Sequence, residues 1–224
     1  MAQDVKGARP YRSPRREQQA AATRLAILGA AQRLFEADGY SSTTMGAIAA
    51  EADVALKTVY LAFETKAGLL RAVWDLALKG DTDDAPVATR PWYLEVLDEP
   101  NPERKLRRLA AASCGVKRRI GALLGVIRDA APSDEEIGDL WALIQSDFYA
   151  NQGAIVTTLH QTGALLEGLD VARATDILWT LNHPDVWLLL VGQRGWTPEG
   201  FETWLGDTAI DQLLRQRRSR RPRS

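Results

Sequence analysis

The run from Thr43 to Leu70, TTMGAIAAEADVALKTVYLAFETKAGLL, restricts the possible folds of this chain more than any other stretch. Two short apolar helical segments flank a tight turn. The second carries small, hydroxylated and basic residues where a core helix would carry bulk. That pattern predicts a helix-turn-helix, in which one helix packs as a strut and the next is free to enter the DNA major groove.

The surrounding residues extend the same reading. From about Arg15 to Asp38, Ile27, Ala30, Ala31, Leu34 and Phe35 recur at three- and four-residue steps, flanked by Leu25 and Leu28. This spacing predicts one long amphipathic helix, closed by Gly39. Thr44 is placed to N-cap a helix over Met45–Ala52, burying Ile48, Ala49 and Ala52. The turn is Asp53-Val54-Ala55; Asp visits the left-handed region at modest cost, and Val54 is expected to plug the angle between helices. Over Leu56–Phe63, Val59 and Phe63 lie four apart and should face inward, leaving Leu56, Lys57, Thr58, Tyr60 and Leu61 outward. Thr65 should cap a fourth helix whose Leu69, Leu70, Val73, Trp74 and Ala77 continue the core.

The set Ile48-Ala49, Ala52, Val54, Thr58, Tyr60, Phe63, Lys66 and Leu69-Leu70 resembles the DNA-binding domain of the TetR family of transcriptional regulators. The resemblance implies that Thr44 and Met45 sit near a phosphate. It also implies that Leu56, Lys57, Thr58 and Leu61 face bases or the groove wall, while Tyr60 and Lys66 grip the DNA backbone. Three positions depart from the family pattern: Asp53 stands for a usual Gly, Ala55 for a common Ser or Thr cap, and Ala62 for a frequent His. No DNA contact is therefore expected at Ala62. Looser similarity continues toward the C-terminus, in Trp179, Pro184, Gly195-Trp196 and Trp204-Leu205.

Charge is unevenly distributed. Residues 1–79 hold 11 Lys and Arg against 8 Asp and Glu, residues 80–214 hold 11 against 21, and residues 215–224 add six arginines. An acidic body with basic ends suits attraction to DNA at one end and repulsion elsewhere. The basic start, with Pro10 and Pro14, reads as an arm that either lies along DNA or solubilises the chain, and the RQRRSRRPRS terminus as a similar tail. A single cysteine, Cys114, excludes an internal disulfide and fits a cytoplasmic location. No leading apolar run resembles a signal peptide, and none reaches the length of a membrane span. The expected divisions are an arm over 1–14, a head over 15–79, a regulatory and dimerisation body over 80–215, and a tail over 216–224.

The body carries helix signals throughout: Asn101-Pro102, a capping box from Ser133 to Glu136, Asp170, and Thr197-Pro198. Expected helices lie at about 102–117, 119–131, 134–163, 171–182, 185–193 and 198–215, after a connector with a short helical piece at Trp92–Leu97. Pro184 should interrupt the chain near Asn182-His183. The fold class is thus all-α, with nine to ten helices. The run from Val186 to Val191 is apolar all round, and the last helix is apolar at Phe201, Trp204, Leu205, Ala209, Ile210, Leu213 and Leu214. These segments are expected to form a two-fold dimer interface through Val186, Leu189, Leu190, Phe201, Leu205, Ile210 and Leu213; burial within a monomer is the alternative.

Candidate lining residues for an effector cavity are Leu109, Ser113, Leu123, Ile127, Trp141, Ile144, Phe148 and Trp179, although aromatics at helical spacing are as readily plain core. Enzyme chemistry has no support: the two histidines, His160 and His183, stand 23 residues apart, with no metal-ligand spacing and no phosphate loop. No cofactor or metal is expected. The leading expectation is a homodimeric regulator that binds a palindromic duplex operator and is released by a small apolar or aromatic effector. Activation through the same head, or a body that only dimerises, are the alternatives.

Overall fold

The computed structural model describes residues 14–80 and 86–215. The expected arm, up to residue 13, and the tail from residue 216 lie outside the described residues. The chain is all-α and forms two compact units that divide between Val73 and Trp74.

The first unit contains α1 (Pro14–Ser42), α2 (Met45–Glu51), α3 (Leu56–Phe63) and the first half of α4 (Lys66–Lys79). Regular helix in α1 is interrupted at Gly39, where φ is 80°. The α1 stripe of Ile27, Ala30, Ala31 and Phe35 is fully buried. It is joined in the core by Ile48 and Ala49 of α2, Val59 and Phe63 of α3, and Leu69, Leu70 and Val73 of α4. With Met45 also buried, α2 contributes three inward positions and α3 two, and neither short helix would persist without this packing.

The second unit holds the end of α4, then α5 (Pro91–Asp98), α6 (Pro102–Ala130), α7 (Glu135–Gln161), α8 (Val171–Leu181), α9 (Pro184–Trp187) and α10 (Pro198–Leu213). α6 runs through the middle, with α10 against one side and α7 against another; α8 packs on α7 and α10. One core cluster joins Tyr93, Leu106, Leu109, Ile155, Leu159, Leu178 and Leu213. A second joins Ala110, Cys114, Trp187, Phe201 and Leu205. An isolated antiparallel bridge between Leu165 and Leu214 ties the end of α10 to the loop after α7.

The caps follow the side-chain chemistry. Asn101, Asp170 and Thr197 each accept a backbone N–H three residues on, at 2.8–3.0 Å. Pro184 occupies the first position of α9, where its missing N–H costs nothing.

Three expectations are corrected. First, α6 is one helix rather than two, because its apolar stripe continues unbroken through Cys114, Ile120, Leu124 and Ile127. Gly121 does not stop it: Trp187 covers this glycine so closely that a Cβ would lie 3.2 Å from the indole nitrogen. Second, the N-cap of α7 is Asp134, which accepts from Ile137 N at 3.3 Å, while the Ser133 hydroxyl donates back to the Ala130 carbonyl at 2.9 Å. Third, Phe201, Leu205 and Leu213 are at most 2% exposed within their own chain. They face α6 and the core, because α10 turns its most apolar side inward, and have nothing left to offer a partner.

Candidate nucleic-acid interface

The head is built around the turn between α2 and α3. Asp53 takes φ 52°, the left-handed conformation its sequence position demands. Val54 N donates to the Ala49 carbonyl at 3.0 Å and locks the turn. Ala55 supplies no side-chain cap, so the first turn of α3 holds itself through the Thr58 N–H to the Ala55 carbonyl at 2.8 Å. With Val59 and Phe63 buried, the geometry leaves Leu56, Lys57, Tyr60 and Leu61 exposed, Leu61 at 76%, and Thr58 half-buried beside them. An unpaired surface leucine at that exposure, next to a lysine and a tyrosine, forms one mixed apolar and basic face. Such a face matches a groove lined by base edges, methyl groups and phosphates.

The flanking residues stand differently. Thr44 is exposed and its hydroxyl oxygen accepts from Ala47 N at 3.1 Å, which leaves the hydroxyl proton available to an outside acceptor. Met45 is 6% exposed, so its side chain belongs to the core, and what it can offer a phosphate is its backbone N–H, which as the first of α2 has no intrahelical partner. Lys66 does not extend freely. Its ammonium donates to the Tyr40 carbonyl at 2.8 Å and the Thr43 carbonyl at 3.1 Å, which leaves one N–H for a phosphate.

Two supports of α3 were not visible as motifs. Arg24 of α1 donates to the Ala62 carbonyl at 3.0 Å and lies 4.2 Å over the Phe63 ring, pinning the end of the helix. Gly68 sits so near the end of α3 that a Cβ would be 2.9 Å from the Phe63 carbonyl oxygen. Neither has a local spacing signal, since both act across elements. Arg33 and Glu51 pair at 2.9 Å on the surface, a contact worth little in water.

In the second unit, the expected cavity residues divide. Leu109, Leu123 and Ile127 are buried, at most 4% exposed, and Ile144 is nearly so. Leu109 lies in the packed cluster with Tyr93 and Ile155. Trp141 is half-buried. Ser113, Phe148 and Trp179 converge on the end of α8: the Ser113 hydroxyl accepts from Asn182 Nδ2 at 2.9 Å. The rings of Trp179 and Phe148 lie edge-on to His183 at 4.8 and 6.2 Å. His183 accepts from Asp185 N at Nδ1 and meets Gln145 Oε1 at Nε2. Burial holds its pKa below the usual imidazole value, so it is a neutral hydrogen-bonding group. An open cleft of about 370 Å³ lies elsewhere, between Asp176, Ile177 and Thr180 of α8 and Thr208 and Gln212 of α10, and contains none of the expected lining residues.

Lys117 and Asn182, buried between α6 and α8, were also missed. The available signal was a lysine falling on the apolar stripe of α6, three residues after Cys114 and three before Ile120. Cys114 itself is packed in the core, with its thiol donating to the Pro198 carbonyl, and burial raises its pKa. That is the environment of an inert thiol. Among the described residues no group of three or more His, Cys, Asp or Glu side chains is placed to hold a metal, and no helix is long and apolar enough to cross a membrane.

Comparison with known proteins agrees with this geometry. Residues 27–73 match the family described as bacterial regulatory proteins, tetR family. Over 61 residues the chain is 41% identical to the HTH-type transcriptional regulator AcrR of Shigella flexneri, a match that spans 27% of this chain and 28% of that relative. Among solved structures, NalD, the secondary repressor of the MexAB-OprM multidrug efflux pump in Pseudomonas aeruginosa, superposes with a TM-score of 0.65 at 23% identity. It covers 88% of this chain and 98% of its own. The SmeT–triclosan complex superposes with a TM-score of 0.67 at 18% identity, covering 87% and 92%. Residues 27–73 thus carry the sequence of the tetR family of bacterial regulatory proteins, and the chain as a whole shares the all-helical fold of the superposed structures.

Proposed function

We propose that the protein is a sequence-specific repressor that binds a palindromic operator as a homodimer and is released by a small effector held in the C-terminal unit. The observation that carries this reading is the outward face of α3, where Leu56, Lys57, Tyr60 and Leu61 stand exposed over a buried Val59 and Phe63. Lys57, Thr58, Leu56 and Leu61 read the groove; Tyr60, Thr44, the Met45 N–H and the remaining Lys66 N–H hold phosphates. Paired α3 helices one helical turn apart would read two half-sites.

Dimerisation falls to the expected residues that burial leaves available: Leu189, 51% exposed, with the half-buried Val186, Leu190 and Ile210. The efflux-pump repressor and the triclosan complex among the similar structures support a small, largely apolar effector. Its entry would move α6, whose Arg119 donates to the Ala77 and Leu78 carbonyls in the last turn of α4 at 3.1 and 3.3 Å. A coupling of roughly 1–3 kcal/mol, usual for allostery, changes operator occupancy several-fold.

Selection of bound fragments from random duplex DNA tests the reading. Recovery of a symmetric motif with half-sites about one helical turn apart is expected. Recovery of unrelated sequences at equal affinity would overturn it.

A further inference from the structure

Lys117 projects from the apolar stripe of α6 and is 4% exposed. Its ammonium has one hydrogen-bond acceptor among the described residues, Asn182 Oδ1 at 2.5 Å. Asn182 has no exposed surface, and its amide nitrogen donates to Ser113 Oγ at 2.9 Å and Gln152 Oε1 at 3.2 Å. Both amide protons are thereby used, so the oxygen is held toward the lysine. Every partner in this network is neutral. The Phe201 ring, 5.7 Å from the ammonium, adds only a weak attraction.

The other buried lysine, Lys105, provides the contrast. It donates to the Leu97 carbonyl and to Thr158 Oγ1 and feels the carboxylates of Asp98 and Glu99. Among the described residues no carboxylate acts on Lys117: burial pulls its pKa from 10.5 down to about 7, opposed only by the neighbouring Cys114 thiol. Burying an ammonium without a counter-ion is costly, and an apolar side chain of equal volume would pack here more cheaply.

A second unmet donor lies alongside. The indole N–H of Trp179 is buried with no acceptor. Its ring packs on His183, the residue after Asn182, with Phe148 on the same imidazole. Asp185, 3.6 Å from His183 Nδ1, is paired with Arg128 at 2.7 Å, so among the described residues the Lys117 ammonium and the Trp179 N–H are left without a carboxylate partner beside aromatic surface. One buried cation matches one negative charge, which favours a monoanion over a phosphate dianion.

We propose that Lys117 is the counter-ion for the carboxylate of a small amphipathic acid, whose apolar or aromatic body packs near Trp179 and Phe148. The acid is the effector class of the regulator, so the inference rests on the effector reading above. Asn182 positions the ammonium, and Gln152 and Ser113 fix the amide.

Titration calorimetry and melting of the full chain near pH 8 test it, using benzoate, 2-naphthoate and octanoate, each beside its matching alcohol. At least one acid is expected to bind roughly tenfold more tightly than its alcohol. Binding should take up about one proton per site, read from buffers of different ionisation heat, because the anion restores the charge on Lys117. Lys117→Met should remove both the preference and the uptake. If that variant does not fold, proton uptake by the unaltered protein decides alone. Equal binding of acids and alcohols, no binding of any acid, or acid binding without proton uptake would overturn the assignment. Operator binding is measured separately without acid, so a failure there counts against the repressor reading and leaves the carboxylate result standing.

Discussion

The Lys66 ammonium donates to the Tyr40 carbonyl at 2.8 Å while lying 4.1 Å from the centre of the same residue's ring. With the Thr43 carbonyl as a second acceptor, this lysine staples the start of α4 to the link between α1 and α2. Lys66→Met strands two carbonyls, a loss of about 1–3 kcal/mol that chemical denaturation would read as a lower midpoint. Binding to specific and random DNA should fall together, with the salt slope reduced by about 1 if the free N–H meets a phosphate.

Gly68 sets how closely α4 approaches the end of α3. A methyl group there would press on the Phe63 carbonyl at 2.9 Å, where backbone cannot yield as a flexible side chain would. Gly68→Ala should destabilise the head by about 1–3 kcal/mol, and calorimetric melting would register it. An unchanged melting temperature would show that α3 and α4 slide apart freely.

Lys57 and Thr58 belong to the face that reads bases, whereas Tyr60 belongs to the phosphate grip. Lys57→Gln and Thr58→Val should change which operator is preferred, by about 1–3 kcal/mol at the affected base pairs. Tyr60→Phe should weaken all sequences alike. Competition binding against a library of single-base operator variants separates the two outcomes.

Stability should rise with pH through two windows. Burial depresses the pKa of His183 in the folded state, so between that value and the ordinary imidazole value of 6.5 the unfolded chain binds more protons. Lys117 repeats this between about 7 and 10.5. Each group therefore opposes folding at low pH and ceases to do so as pH climbs. Denaturant midpoints should increase up to about pH 9, above which Cys114 and Tyr93, whose pKa values burial raises, begin to oppose the trend; Lys117→Met should flatten the rise above pH 7.

Leu189 and Leu213 make opposite predictions for one substitution. Leu189 is half exposed, so Leu189→Glu should leave the monomer folded and shift sedimentation toward it at micromolar concentration. Leu213 has no exposure, and Leu213→Glu buries an unpaired charge that should unfold the second unit. A dimer undisturbed by Leu189→Glu would move the interface elsewhere.

Much of the head was legible in one dimension because its determinants are local. Helical spacing named Val59 and Phe63 as the inward pair, and Asp53 and Thr44 performed the turn and cap that their side chains favour. The caps at Asn101, Asp170 and Thr197 were equally local. The site was less legible. Met45 and Lys66 sit where the family pattern puts them, yet one is turned into the core and the other is engaged by carbonyls more than twenty residues away.

Sequence alone determined the all-helical class, the helix-turn-helix and the outward face of α3, since these depend on periodicity and on bonds spanning three or four residues. Tertiary structure decided which side of α10 faces inward, that Trp187 covers Gly121 in an unbroken α6, and that Lys117 meets Asn182 without a carboxylate. Those outcomes depend on pairs far apart in the chain, whose proximity no local pattern of residues encodes.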